Sequence, residues 1–228
     1  MKIPLFDIDG TLLKTQSPIN KNVFAYAAKK VYGIDAQQTE INPEGMVDNQ
    51  IMLEVLKLHG LTEEEIKQKM PQETQAVTEY SREHQNEIVL EILPGVKALL
   101  TNLKNKQIPL GVLTGNVEGL GWIKLERVGI KDFFDFGAFG SQAYKRIELV
   151  KIARKNAEET LDKNFKIEDF IIIGDTPRDI ACAREAGLKA VAVATGLSSY
   201  EELAQEQPDL LVHTLEDQRV LDFITGLH

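Results

Sequence analysis

The stretch Ile3-Pro4-Leu5-Phe6-Asp7-Ile8-Asp9-Gly10-Thr11 sets a short apolar run against two aspartates and a glycine. A continuous apolar run ended by polar residues reads as a strand buried on both faces, the kind found in parallel sheets. In such sheets ligands bind outside the carboxyl ends of the strands, so Asp7 and Asp9 fall where chemistry is expected. Residues i and i+2 of a strand share a side, so both carboxylates can face one group while Ile8 points away. Gly10 adds a place where backbone N–H groups can approach an anion closely. The alternative for such aspartates is a turn role, accepting nearby backbone N–H groups.

Outward from this strand, similar runs recur at 108–113, 170–173, 190–193 and 210–212. Helix-period segments separate the later runs, at 96–103, 117–128, 147–161, 177–186 and 200–204, with another from Leu215. This alternation predicts an α/β fold: a Rossmann-like parallel sheet with helices on both faces. The interval from 15 to 90 breaks the alternation, since it holds helical patterns and no strand. It predicts a helical domain, 15–90, inserted into a core made of 1–14 and 91–228. Its first helix carries Ile19, Val23, Ala27 and Val31 and ends at Gly33. A second runs from about Asn49 to His59, a third opens on the capping box Thr62 and Glu65, and Pro71 suits the first turn of a fourth. The expected insertion is therefore a four-helix bundle, hinged where the chain crosses near 14–17 and 88–93.

Composition bounds the function. The 228 residues, 43% hydrophobic and 27% charged, describe an ordinary folded protein. A net charge of −9 disfavours nucleic acid and anionic membranes as partners but leaves room for a local basic pocket holding one small anion. A lone cysteine, Cys182, excludes an internal disulfide and reads as a small buried helix residue. With no signal-peptide pattern and no apolar run near the ~18 residues that span a bilayer, the expected setting is the cytoplasm. A monomer or homodimer acting on small molecules is expected there.

A second acidic cluster, Gly174-Asp175-Thr176-Pro177-Arg178-Asp179, follows the run at 170–173 and leads into a helix. Asp175 alone equally suits an N-cap, with Pro177 in the first turn. Two acidic strand ends in one sheet can converge, however, and several carboxylates do not stay ionised together without a cation. Oxygen ligands and scattered histidines point to magnesium rather than zinc. Thr114-Gly115-Asn116, after the run at 108–113, offers a hydroxyl and amides suited to phosphate oxygens or to a plain helix cap. Lys145 and Arg146 stand before the helix at 147–161, and either can neutralise phosphate or carboxylate charge.

Taken in order, D-I-D-G-T, T-G-N, a basic residue and G-D-T-P-R-D resemble the four motifs of the haloacid dehalogenase superfamily of hydrolases, over nearly the whole chain. The insertion resembles the helical cap of the subgroup containing phosphoglycolate phosphatase and β-phosphoglucomutase. The resemblance implies a magnesium-dependent phosphatase of a small phosphorylated metabolite, with Asp7 as nucleophile forming an aspartyl-phosphate and Asp9 as general acid, then base. It implies magnesium on Asp7, the Asp9 backbone carbonyl and Asp175, with Asp179 orienting the cluster and Thr114, Gly115 and Asn116 holding the phosphoryl group. The third motif departs from the usual lysine-then-proline pattern and is similar to a branch that uses arginine, which selects Arg146 over Lys145.

A dehalogenase of this fold needs only the first carboxylate and no metal, so Asp9 with Asp175 favours phosphoryl transfer. For Asp9 to act as an acid it must hold a proton, so repulsion by Asp7 and cap closure are expected to raise its pKa. Gly45, Met46, Asp48 and Asn49 lie in a loop that resembles the subgroup's specificity loop; the plain alternative is a connection whose Asp48 or Asn49 caps the next helix. Competing readings are a phosphosugar mutase, a pyrophosphatase, and a non-catalytic phosphometabolite-binding protein.

Overall fold

The computed structural model describes residues 2–226. In chain order its elements are β1 (Ile3–Phe6), β2 (Leu13–Thr15), α1 (Ile19–Ala27), α2 (Asp48–Leu58), α3 (Glu63–Glu83), β3 (Leu90–Ile92), α4 (Val96–Asn105), β4 (Gly111–Thr114), α5 (Glu118–Arg127), β5 (Phe136–Phe139), α6 (Arg146–Leu161), β6 (Phe170–Gly174), α7 (Pro177–Glu185), β7 (Lys189–Val193), α8 (Tyr200–Gln205), β8 (Leu210–Val212) and α9 (Gln218–Thr225). Six strands form one parallel sheet in the order β5-β4-β1-β6-β7-β8. The chain builds outward from β1 to β5, returns to place β6 on the other side of β1, and builds outward again. That reversal opens a crevice at the carboxyl ends of β1, β4 and β6, where ligands bind in open sheets.

The sheet is buried on both faces, which explains the continuous apolar runs. Alternate residues go to opposite sides: Phe6, Ile171, Ile173, Val191 and Val193 pack in a cluster with Leu99, Leu103 and Val220 from α4 and α9. Leu5, Phe170, Ile172, Ala190 and Ala192 join Leu149, Ala153 and Ala183 from α6 and α7 in another. β5, Phe-Gly-Ala-Phe, is a strand that the apolar runs do not announce. It is four residues long and two of them are Gly and Ala, so its strand character comes from pairing with β4 rather than from its own side chains.

The segment from α1 to α3 forms a helical cap, and it differs from the expected four-helix bundle. It has three α-helices, because α3 runs unbroken from Glu63 to Glu83 with Pro71 inside it. A proline there removes one backbone hydrogen bond, but Ile66, Met70, Ala76 and Val77 carry the buried stripe across it, and tertiary packing holds the helix through. The Thr62–Glu65 capping box forms as expected. α1 continues as a π-helical turn, Ala28–Tyr32, to a left-handed Gly33. Two antiparallel strands, β2 and β3, carry the chain into and out of the cap as a ribbon. Val117, Leu120 and Ile123 from the β4–α5 region share the cap's apolar cluster, so the cap rests on α5. Among the described residues no helix is long and apolar enough to cross a membrane, and Cys182 is buried in α7.

Candidate active site

β1, β4 and β6 deliver Asp7, Thr114 and Asp175 to the edge of one cavity of about 380 Å³, bordered on the cap side by the loop at 43–48 and by Asn20 of α1. The carboxylates divide into two settings. On one side, single oxygens from Asp7, Asp175 and Asp179 lie within 4.8 Å of one another, all three residues buried. Asp7 Oδ1 accepts the Ile8 N–H at 2.8 Å, and Asp175 Oδ1 accepts the Thr11 hydroxyl at 2.7 Å. Asp179 closes the capping box of α7, where its Oδ2 accepts the Thr176 hydroxyl at 2.7 Å and the Thr176 N–H at 3.1 Å. Arg146, the first residue of α6, reaches Asp179 Oδ1 at 2.5 Å and Asp7 Oδ2 at 3.2 Å. Its Nη1 also donates to the Gly45 carbonyl of the cap at 3.4 Å.

Burial pushes the Asp7 carboxyl up to about 6 against the pull of Arg146, with Asp179 adding to the rise. Burial, then the charges of Asp7 and Asp179, push Asp175 well above the usual carboxylate range. A cation between these groups reverses that push. The space around Asp175 is shaped by glycines, since a methyl group added at Gly10 or Gly196 would overlap its carboxylate.

Asp9 sits in the opposite setting. Its Oδ2 accepts from Lys124 Nζ at 2.6 Å and from Asn116 Nδ2 at 2.9 Å, and its Oδ1 accepts the Thr15 hydroxyl at 2.5 Å. Burial raises its pKa, but the Lys124 ammonium and these hydrogen bonds outweigh it and hold the carboxyl below the usual range. The expectation of a raised Asp9 pKa is therefore corrected: a buried cation, absent from the motif, dominates over the repulsion of Asp7.

Of the expected phosphate residues, Thr114, Gly115, Asn116 and Arg146 line the cavity. The Thr114 hydroxyl oxygen accepts from Asn116 Nδ2 at 2.9 Å, which leaves its own proton to donate. Lys145 and Gly10 are placed differently from these four. Lys145 is exposed and lies outside the cavity lining, because the helix start turns Arg146 inward and Lys145 outward. Gly10, at φ +85°, borders the cavity, but its N–H is committed to the Leu13 carbonyl at 2.8 Å; its part is the tight turn beneath Asp175 rather than an anion-binding amide.

From the cap, Gly45, Met46 and Asp48 line the cavity, whereas Asn49 turns away and donates to the Ser141 carbonyl at 3.1 Å. Asp48 does cap a helix, but a different one: its Oδ2 accepts the Val117 N–H at the start of α5 at 2.8 Å. Burial pushes its carboxyl up to about 6. The Asp48 N–H donates to the Gly115 carbonyl at 2.8 Å, and a methyl on Gly115 would overlap the Met46 carbonyl, so cap loop and phosphate loop lie in direct contact. Sequence reasoning missed Lys124, Thr15 and the loop Thr195-Gly196-Leu197, whose Thr195 hydroxyl ties the Gly10 carbonyl at 2.6 Å. The available signal for Lys124 was its place on the inward stripe of α5, four residues after Leu120.

Residues 4–193 match the family model described as haloacid dehalogenase-like hydrolase, and the chain belongs to that family. It is 26% identical over 217 residues to the pyrophosphatase PpaX of Oceanobacillus iheyensis, covering 93% of this chain and 92% of the relative. It is 30% identical over 139 residues to the phosphoglycolate phosphatase of Synechococcus elongatus, covering 60% of this chain and 61% of the relative. Its fold is similar to the crystal structure of β-phosphoglucomutase from Clostridium difficile, with a TM-score of 0.69 at 21% identity over 99% of this chain and 98% of that one.

Proposed function

We propose that this hydrolase removes the phosphoryl group from a small phosphorylated metabolite, with magnesium and through a phosphoryl-Asp7 intermediate. The supporting observation is that Asp7 and Asp9 border one cavity in opposite settings, Asp7 beside Arg146 and two further carboxylates, Asp9 within a ring of donors. The charge balance supports the metal. Asp9 is paired with Lys124, whereas Asp7, Asp175 and Asp179 converge beside a single guanidinium, Arg146, and one divalent ion offsets the charge that is left in that cluster. Asp7, Asp175 and the Asp9 backbone carbonyl would hold it, the all-oxygen set that suits magnesium. When bound, the ion offsets charge on the phosphoryl oxygens. Asp179, already engaged by Arg146 and Thr176, orients the group.

In the first half-reaction an Asp7 oxygen attacks phosphorus, the bond to the leaving oxygen breaks, and Asp9 gives that oxygen a proton. In the second, Asp9 takes a proton from water, the water oxygen bonds to phosphorus, and the bond to Asp7 breaks, releasing phosphate. The anionic Asp9 of this arrangement suits the second step. For the first it takes up a proton as the negative charge of the incoming phosphate opposes its own and the phosphate competes for Thr15 and Asn116, the donors that border the cavity. Thr114 and Arg146 meet the phosphoryl oxygens, and positioning plus charge carries most of the rate gain, since general acid catalysis alone supplies only ~10² to 10⁴. Gly45, Met46 and Asp48 face the leaving group and select it.

The test is phosphate release from a panel of small phosphate esters, with phosphoglycolate and pyrophosphate included because relatives carry those names. Magnesium-dependent release supports the reading. Binding without turnover across the panel contradicts it, and an isomerised phosphosugar in place of free phosphate replaces it with a mutase.

A further inference from the structure

Lys124 is a fully buried cation on the inward face of α5, a helix whose other inward residues, Leu120, Gly121, Ile123 and Leu125, are apolar. An ammonium is costly there unless it is paired and hydrogen-bonded. Its partners are Asp9 Oδ2 at 2.6 Å and Asn116 Oδ1 at 2.8 Å. Asn116 in turn donates to the same Asp9 oxygen and to the Thr114 hydroxyl, each at 2.9 Å. Lys124 thus closes a ring between the carboxylate and the loop that borders the phosphoryl position.

The placement is asymmetric. The Asp9 side chain keeps 29% of its surface while Lys124 keeps none, so the cation stands behind the carboxylate and the cavity lies in front of it. A lysine meant to meet the phosphoryl group would reach the cavity, yet Lys124 is not among its lining. Ion pairing for stability alone is a weak explanation, because buried pairs are often replaced by apolar residues without loss.

We propose that Lys124 is a positioning residue for Asp9: from behind, and through Asn116, it fixes the carboxylate relative to Thr114 so that the proton is exchanged at the leaving oxygen and at water. The inference rests on the Asp7 and Asp9 roles proposed above. Its consequence is selective. Misplacing Asp9 slows the first half-reaction in proportion to how much the leaving group needs a proton, whereas its effect on the second is the same for every ester.

The test uses the full chain with magnesium, comparing an alkyl phosphate with p-nitrophenyl phosphate, whose leaving group departs without a proton. Lys124→Met is expected to lower kcat/KM, which reports transfer to Asp7 and not the later hydrolysis common to both esters, by about 10²-fold on the alkyl ester and by less than about tenfold on p-nitrophenyl phosphate. Introduced into Asp9→Asn, it is expected to change the rate by less than about twofold, because the residue it positions is already gone. Equal losses in kcat/KM on both esters, or an undiminished loss in the Asp9→Asn background, overturn the inference. An unimpaired Lys124→Met beside an impaired Asp9→Asn overturns it while leaving the Asp9 role intact; an unimpaired Asp9→Asn overturns both. Lys124→Gln, which keeps a donor towards Asp9, is measured alongside, and loss of the fold in both variants assigns Lys124 to stability and overturns the inference.

Discussion

The Arg146 guanidinium donates to the Asp179 carboxylate at 2.5 Å with both side chains almost wholly buried. The same nitrogen lies 3.2 Å from Asp7, so one arginine ties the end of β1 to the first turn of α7. Removing one partner of a buried ion pair leaves the other charge without compensation, at a cost of about 3–5 kcal/mol. Arg146→Met is expected to lower stability in urea by that order and to reduce phosphate release at least ~10²-fold. The neighbouring Lys145→Ala, on the exposed side of the helix start, is expected to stay within about 0.5 kcal/mol of the parent at unchanged turnover. A reversed ranking of the two would assign the cation wrongly.

Asp175 is shaped by the loop after β7, because a methyl group at Gly196 would overlap its carboxylate. Gly196→Ala is therefore expected to raise the magnesium concentration for half-maximal rate by ~10- to 100-fold, the usual penalty for disturbing a ligand's surroundings. Thermal melting without the metal checks that the fold is kept. Unchanged magnesium dependence would detach Asp175 from the metal.

Glu73, on the inner face of α3, is 2% exposed, and its Oε2 has no hydrogen-bond partner. Burial, with Asp48 adding, pushes its carboxyl from the ordinary 4.5 up to about 8. The folded chain therefore binds this proton more tightly than the unfolded chain does. Its contribution is fully present below the unfolded pKa and is lost as pH rises through the folded one. Glu73→Gln is expected to flatten the stability profile between about 4.5 and about 8 and to be the more stable chain above that range. Denaturant midpoints at several pH values read this directly, and parallel profiles for the two chains would show that Glu73 is ionised throughout.

Pro71 interrupts the hydrogen-bond ladder of α3 without ending the helix. A helix-interior proline costs up to about 3 kcal/mol relative to alanine. Pro71→Ala is expected to stabilise the cap by about 1–3 kcal/mol, measured by urea unfolding; destabilisation would mean that the chain starts a new helix at this point.

The residues that were legible in sequence are those whose role is local. Asp7, Thr114 and Asp175 each follow an apolar run, and the parallel sheet that those runs imply brings their ends together without further information. Thr62 and Glu65 cap a helix from three residues apart. What was not legible depends on distant partners. Lys124 meets Asp9 across 115 positions and otherwise looks like one more lysine on an amphipathic helix. The direction of the Asp9 shift was misjudged for that reason, since the spacing of Asp7 and Asp9 reveals their repulsion and not the cation behind it. Pro71 misled because its local rule, to start helices, yields to packing along α3. β5 was missed because Gly137 and Ala138 give it little apolar signal of its own.

The nucleophilic role of Asp7 is tested most directly by acid-quenching the chain during turnover with magnesium and locating the phosphoryl group by peptide mass. The expected result is one phosphoryl group on the peptide containing Asp7, lost on standing at neutral pH and absent from Asp7→Asn. Undiminished turnover by Asp7→Asn, or a phosphoryl group carried on any other residue, would contradict it.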